Sequence, residues 1–289
     1  MSQRILCLGE LMWDFLGEAP LDQPQRLLRP RVGGAAANVA LELARRGREV
    51  ALSAAVSGDA FGQAMRLALS EGGVEISALT RHGGRMGLVF ISGERFLSYR
   101  PTPMRSLAPR WPRGWRGQAT RTTILVAALE PDVMDGEAVL AFAREARAAG
   151  AELWVDANAR PRAFRGRPKR RPWLALLREA AVVKASVHDL AVLGRDVEAL
   201  ATKGTLVVTD GARATQIHGA WGSLRLRPPR VAPRRSVVGA GDRFVAELLA
   251  TTAGARPESA AGWRAAVRAA QAEVARWLAT PSQPDQAAR

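Results

Sequence analysis

Short unbroken apolar runs alternate along the chain with longer segments in which Ala and Leu are interleaved with Arg and Glu. Unbroken runs suit strands buried on both faces, and the mixed segments suit helices with one apolar side. The pattern predicts strands at 5–8, 51–56, 123–127, 153–156, 182–183 and 206–209. Helices are predicted at 36–46, 63–71, 136–149, 172–181, 187–193, 241–250 and 260–279, with Gly72-Gly73 stopping the second. Strand and helix in alternation indicate βα units around a mostly parallel sheet. No fixed-period repeat is present, which argues against a solenoid or propeller. One stretch breaks the alternation: 87–91 and 95–99 are β-rich and joined by Ser92-Gly93-Glu94, a hairpin signal. Segments 101–121 and 160–172, rich in Pro, Arg and Trp, are expected as loops. The expectation is one α/β domain over 1–289, a three-layer α/β/α arrangement with a small β lid near 10–32 and 85–105.

Composition narrows the function more than the fold. No apolar run approaches the roughly 20 residues that span a bilayer, so no membrane partner is expected. The apolar stretch after Met1 is short and runs into Glu10 and Asp14, unlike a secretory signal, so the location is expected to be cytoplasmic. A lone cysteine, Cys7, excludes internal disulfides and multi-cysteine metal sites. His82, His188 and His218 lack ligand-like spacing. The formal charge is +15, and three lysines among the 42 basic residues leave 39 arginines. Such an excess would suit phosphate-backbone binding, and arginines gather at 160–171 and 225–235. They are nevertheless scattered over the whole chain, and no nucleic-acid motif or stacking aromatic pattern accompanies them. They are read as solvated surface, with no nucleic-acid partner.

The chain has no G-x-x-x-x-G-K-[ST], G-x-G-x-x-G, H-E-x-x-H or G-x-S-x-G motif. Two glycine-rich helix starts carry the chemical signal instead. In Val238-Gly239-Ala240-Gly241-Asp242-Arg243-Phe244 the glycines expose amide groups where a loop enters a helix, a place that favours phosphate. Asp242 directly after them could take a proton from a hydroxyl while the amides neutralise a phosphoryl group. In Gly33-Gly34-Ala35-Ala36-Ala37-Asn38-Val39-Ala40 small residues allow close approach, and Asn38 offers a donor and an acceptor to a polyol.

On these residues the chain resembles the PfkB (ribokinase-like) carbohydrate kinase family. That family pairs an N-terminal G-G-x-x-x-N-x-A signature with a C-terminal G-A-G-D-x-F signature. Further likenesses cover essentially the whole chain. Gly9 to Asp14 is similar to the family's first strand end, and Val56 to Gly62 to its V-G-x-D-x-F-G turn. Ser98-Tyr99-Arg100 and Asp156-Ala157-Asn158-Ala159-Arg160 resemble segments of the fructokinase and ketodeoxygluconate kinase branch. Val207 to Ala212 resembles the nucleotide-side strand and loop.

The resemblance implies an ATP-dependent kinase acting on a hydroxymethyl group of a monosaccharide or sugar acid, with Mg2+. Asp242 would be the base, and Gly239, Ala240 and Gly241 the anion hole. Asp14, Gly34 and Asn38 would hold the sugar, with Arg100 and Arg160 meeting anionic groups. Lys184, Thr209 and Gly211 would serve the nucleotide, and Ser186 and Asp189 a hydrated metal. Pairing through the lid would give a homodimer. Several positions depart from the family pattern. Ser236-Val237-Val238 replaces the start of the monovalent-cation loop, so the case for K+ activation weakens. Arg243 replaces a small residue and Glu247 a glycine. The K-x-N-x-x-E element reads Lys184-Ala185-Ser186-Val187-His188-Asp189, and Ala214 stands where a second glycine is usual. These departures keep a second expectation open: a catalytically impaired relative that binds sugar or nucleotide.

Overall fold

A computed structural model describes residues 3–17, 28–92, 95–99, 108–131, 133–159, 167–194 and 204–281. The first elements are β1 (Arg4–Leu8), β2 (Met12–Gly17), β3 (Leu28–Gly33), α1 (Ala35–Arg45), β4 (Glu49–Ser53), β5 (Ala55–Ser57) and α2 (Ala60–Glu71). Then come β6 (Thr80–His82), β7 (Gly87–Ser92), β8 (Arg95–Tyr99), a 3-10 turn (Arg116–Arg121), β9 (Thr122–Ala127), α3 (Gly136–Ala148) and β10 (Glu152–Asp156). The last are α4 (Arg167–Glu179), β11 (Val182–Ser186), α5 (Val187–Leu193), β12 (Thr205–Asp210), β13 (Ala214–Gly219), β14 (Gly222–Leu226), α6 (Ala240–Thr252) and α7 (Ala260–Ala279).

Eight strands form the central sheet in the order β14-β13-β12-β11-β10-β9-β1-β4. The six from β4 to β12 are parallel, and β13 and β14 add an antiparallel edge. Side chains of each inner strand alternate between two apolar layers, as the strand period requires. Ile5, Cys7, Leu125, Trp154 and Val207 pack with residues of α1, α2, α6 and α7. Leu6, Leu8, Ile124, Val126, Leu153 and Val155 pack with α3, α4 and α5 on the other face. The result is a three-layer α/β/α fold around a mostly parallel sheet, and no helix among the described residues is long and apolar enough to cross a membrane.

A second sheet, ordered β3-β2-β7-β8, stands apart from the central one. β7 and β8 pair antiparallel, and β2 joins β7 in parallel while pairing antiparallel with β3. Trp13 Nε1 on β2 donates to the Phe61 carbonyl at 3.0 Å and ties this sheet to α2.

The pattern misreads some boundaries for identifiable reasons. The strand expected at 51–56 is two strands: after Ala54 the chain leaves β1, and β5 pairs with β6 instead. β13 and β14, at the partly exposed end of the sheet, escape a hydrophobic scan because Gln216, His218 and Arg225 interrupt their apolar positions. The loop expected up to residue 172 becomes helix from Arg167 onward. Trp173, Leu176 and Leu177, spaced as one helical face, are buried and outweigh the backbone hydrogen bond that Pro172 forgoes.

Candidate active site

The two glycine-rich helix starts meet at the carboxyl ends of the parallel strands. At the first, Gly34 caps α1 with φ 100, a conformation L side chains rarely adopt, and a Cβ there would collide with the Glu10 carbonyl. A Cβ at Gly33 would overlap the carboxylate of Asp14, so the missing side chain is what makes room for that acid on β2. One turn into α1, Asn38 Nδ2 donates to Asp242 Oδ2 at 2.8 Å. The amide and the carboxylate are 204 residues apart in sequence, and the bond sets the orientation of the acid.

At the second, Gly239 caps α6 in the left-handed region (φ 89), and no side chain caps the helix. Such an end leaves amide donors for an anion and carries partial positive charge. One expected donor must be corrected. The Ala240 N–H already donates to the Val237 carbonyl at 3.0 Å, so it closes the turn rather than opening to a ligand. Gly241, next in the turn, has no backbone or side-chain partner for its N–H among the described residues.

Two cavities open on opposite sides of this turn. One, of about 620 Å3, includes Asp14, Asn38, Gly239 and Asp242 in its wall, together with Arg31 and Val32 of β3 and Ile91 of β7. The other, of about 490 Å3, is lined by Thr209, Gly211, Ala240, Gly241, Phe244 and Val274, with a rim of prolines at 228, 229 and 233. Asp14 and Asn38, expected for sugar, and Thr209 and Gly211, expected for nucleotide, thus fall on different sides of one helical turn, while Gly34 lines neither cavity. Arg100 and Arg160 lie outside the described residues.

Under the turn lies a buried ion pair. Lys184 Nζ donates to Asp156 Oδ1 at 3.0 Å, and a Cβ at Gly241 would come within 3.5 Å of that nitrogen. Burial favours the neutral amine, but Asp156, Asp189 and Asp242 outweigh it and hold the ammonium above the ordinary lysine value. Lys184 lines neither cavity; its charge sits between them. Ser186 and Asp189 have other duties. They form a capping box on α5: Asp189 Oδ2 accepts from the Ser186 N–H at 2.6 Å and hydroxyl at 2.8 Å. Asp189 Oδ1 accepts from the Ala159 N–H at 2.7 Å. Those oxygens are committed to the fold, and no group of three or more His, Cys, Asp or Glu side chains suited to a metal occurs among the described residues. Asn158, in the same strand-end loop, has a positive φ of 32, a costly conformation of the kind found at functional sites.

Sequence reasoning treats Arg243 and Glu247 as separate departures; the structure joins them. Arg46 donates to Glu42 at 2.7 Å, to Glu247 at 3.0 Å and to Glu273 at 3.1 Å. Arg243 donates to Glu42 at 2.6 Å and to Glu273 at 2.7 Å. The five residues knit α1, α6 and α7 together directly behind the turn. Burial lowers the Arg46 value, but Glu42 and Glu247 outweigh it and raise it overall.

Residues 2–285 match the pfkB family carbohydrate kinases. The chain belongs to this family. It is 29% identical over 272 residues to a fructokinase from Salmonella typhimurium, covering 88% of this chain and 85% of the relative. Fructokinase with bound ATP from Xylella fastidiosa superposes with a TM-score of 0.77 at 26% identity, over 98% of this chain and 94% of the other. Aminoimidazole riboside kinase from Salmonella enterica, solved with aminoimidazole riboside and an ATP analog, gives a TM-score of 0.73 at 22% identity over 96% and 94%. The latter likeness is one of fold. This PfkB protein is a carbohydrate kinase, in a family that uses ATP, and its likeness to fructokinases supports the fructokinase-like branch.

Proposed function

We propose that this kinase transfers the γ-phosphoryl group of ATP to a hydroxymethyl group of a monosaccharide or sugar acid, with Asp242 as the base. The observation that carries the reading is the Asn38–Asp242 bond at the junction of a polar and an apolar cavity. The acceptor occupies the cavity that contains Asp14, Asn38 and Asp242. The nucleotide base occupies the apolar cavity beside Thr209, Gly211 and Phe244, with its phosphates directed at the start of α6. Asp242 takes the hydroxyl proton as the acceptor oxygen attacks the γ-phosphorus, the bond to the β–γ bridging oxygen breaks, and ADP leaves. Gly241 and the positive end of α6 stabilise the transferring group, and Lys184 adds charge from below.

Mg2+ bound with the nucleotide supplies charge neutralisation on the phosphates. Asp189 and Ser186 are committed to the α5 cap, so such an ion would be held mainly by phosphate oxygens and water. β2, β3 and β7 contribute to the wall of the acceptor cavity, which supports a lid role for the small sheet. Its outer strand β8 exposes Phe96, Leu97 and Tyr99, which supports pairing with a second copy.

The test is an ADP-release screen of sugars and sugar acids with Mg2+, with and without K+. Fructose-like ketoses and keto-deoxy acids should give the highest turnover. Sugar binding by calorimetry with no ADP release from any acceptor would instead favour the impaired relative.

A further inference from the structure

The acceptor cavity is walled by four arginines against three carboxylates, Asp14, Glu42 and Asp242. Arg31, Arg45, Arg235 and Arg243 all line it. Arg45 and Arg243 are answered by Glu42, each at 2.6 Å. Arg235 is answered by no carboxylate among the described residues. Its Nη2 donates to the Pro281 carbonyl at 2.9 Å, and its guanidinium lies over the Trp277 ring, 4.8 Å from the centroid. Arg243 stacks over the same ring at 5.3 Å, so two cations share one aromatic platform. Burial, and then the like charges of Arg243 and Arg31, push the Arg235 guanidinium below its ordinary value. That crowding is repulsion built into the cavity wall, and a bound anion would relieve it.

We propose that this end of the cavity is an anion subsite, so that the preferred acceptor carries a carboxylate or phosphate besides the hydroxymethyl group that meets Asp242. Arg235 is its main contact, with Arg243 and Arg31 beside it. The inference rests on the acceptor-kinase reading above and specifies its substrate class. A guanidinium matches the planar oxygens of a carboxylate or two oxygens of a phosphate. Trp277 and Pro281 already hold Arg235 in place, so little side-chain freedom is lost when an anion docks. The anionic group is a spectator: the hydroxyl proton still goes to Asp242 and the phosphoryl group to the acceptor oxygen.

Initial-rate kinetics and calorimetry with fructose, 2-keto-3-deoxygluconate and fructose 6-phosphate would test this on the natural protein, Arg235→Gln and Arg235→Lys. One acid should show the highest kcat/KM, and whether it is the carboxylate or the phosphate identifies the anion. Arg235→Gln should raise the KM of that acid about tenfold more than the KM of fructose, with kcat much less affected, as expected for a lost charge-assisted contact. Arg235→Lys should recover part of the loss, and it keeps the test standing should the glutamine variant fold poorly. Equal effects on all three probes, or a natural protein that prefers fructose to both acids, would overturn the subsite and leave the kinase reading intact. Arg235-dependent binding of an acid without turnover of any probe would overturn the kinase reading and leave the subsite. Neither acid bound nor turned over overturns the subsite.

Discussion

The two cavities share a single helical turn yet are walled in opposite ways. On the α1 side the wall contains Asp14, Glu42 and Asp242 together with Arg31, Arg45, Arg235 and Arg243. On the α7 side Pro228, Pro229, Val231, Val274 and Leu278 predominate, and Thr209, Thr215, Arg230 and Gln271 are the polar exceptions. A polyol exposes hydroxyls in every direction and can be held only by aimed polar groups. A flat heterocycle is held by an apolar slot with a few hydrogen bonds at its edge. The contrast teaches that the turn between the cavities is the one place where both requirements meet, and glycine is what lets the backbone itself serve both sides.

The sharpest way to break this contrast is to neutralise the acid at the junction. Asp242→Asn should lower kcat by about 10²- to 10⁴-fold in an ADP-release assay while calorimetry still detects sugar and nucleotide, since the amide keeps the shape and loses the base. Retained turnover would remove Asp242 from its role. A smaller effect should come from filling the apolar side alone. Ala275→Phe places a ring in the nucleotide cavity and should raise the KM for ATP about tenfold while the acceptor KM is retained. A parallel rise in both KM values would show that the cavities are not independent.

The smallest effect tests the charge cluster behind the turn. Burial raises the Glu273 carboxyl, but hydrogen bonds from Arg276 and Arg243 and the charges of Arg46 and Arg243 outweigh it and hold it below its ordinary value. A carboxylate lowered in the folded state contributes stability above its unfolded value, about 4.3, and that stability is lost as the pH falls through the folded value. Glu273→Gln should therefore cost about 1 kcal/mol at pH 7 and flatten the fall in Tm between about pH 5 and 3. An unchanged acid profile would show that Glu273 takes no part in that dependence.

The βα order, the sheet class and the two helix starts were legible because each leaves a local mark: unbroken apolar runs, or glycines before a helix. Gly34 and Gly239 are legible for the same reason, since both take positive φ. Cap chemistry at Asp189 left an ambiguous mark, because an acidic residue three positions after Ser186 fits either a capping box or a metal ligand. The cluster of Glu42, Arg46, Arg243, Glu247 and Glu273 left none, because its members come from three helices. Arg243 and Glu247 deviate from the family pattern one at a time and make physical sense only together. The anion-binding character proposed for the α1-side cavity was hidden likewise: Arg235 is one arginine among 39, and its place over Trp277 with no carboxylate partner among the described residues sets it apart.

The bond between Asn38 and Asp242 also bears on how the chain is made. The asparagine leaves the ribosome early and the aspartate some 200 residues later. Until the second partner arrives, Asn38 has no Asp242 carboxylate to orient, and the α1-side cavity lacks the part of its wall that Gly239, Asp242 and Trp277 supply. In the reading proposed above, the base and the amide that orients it therefore come together only once the chain has been made through α6.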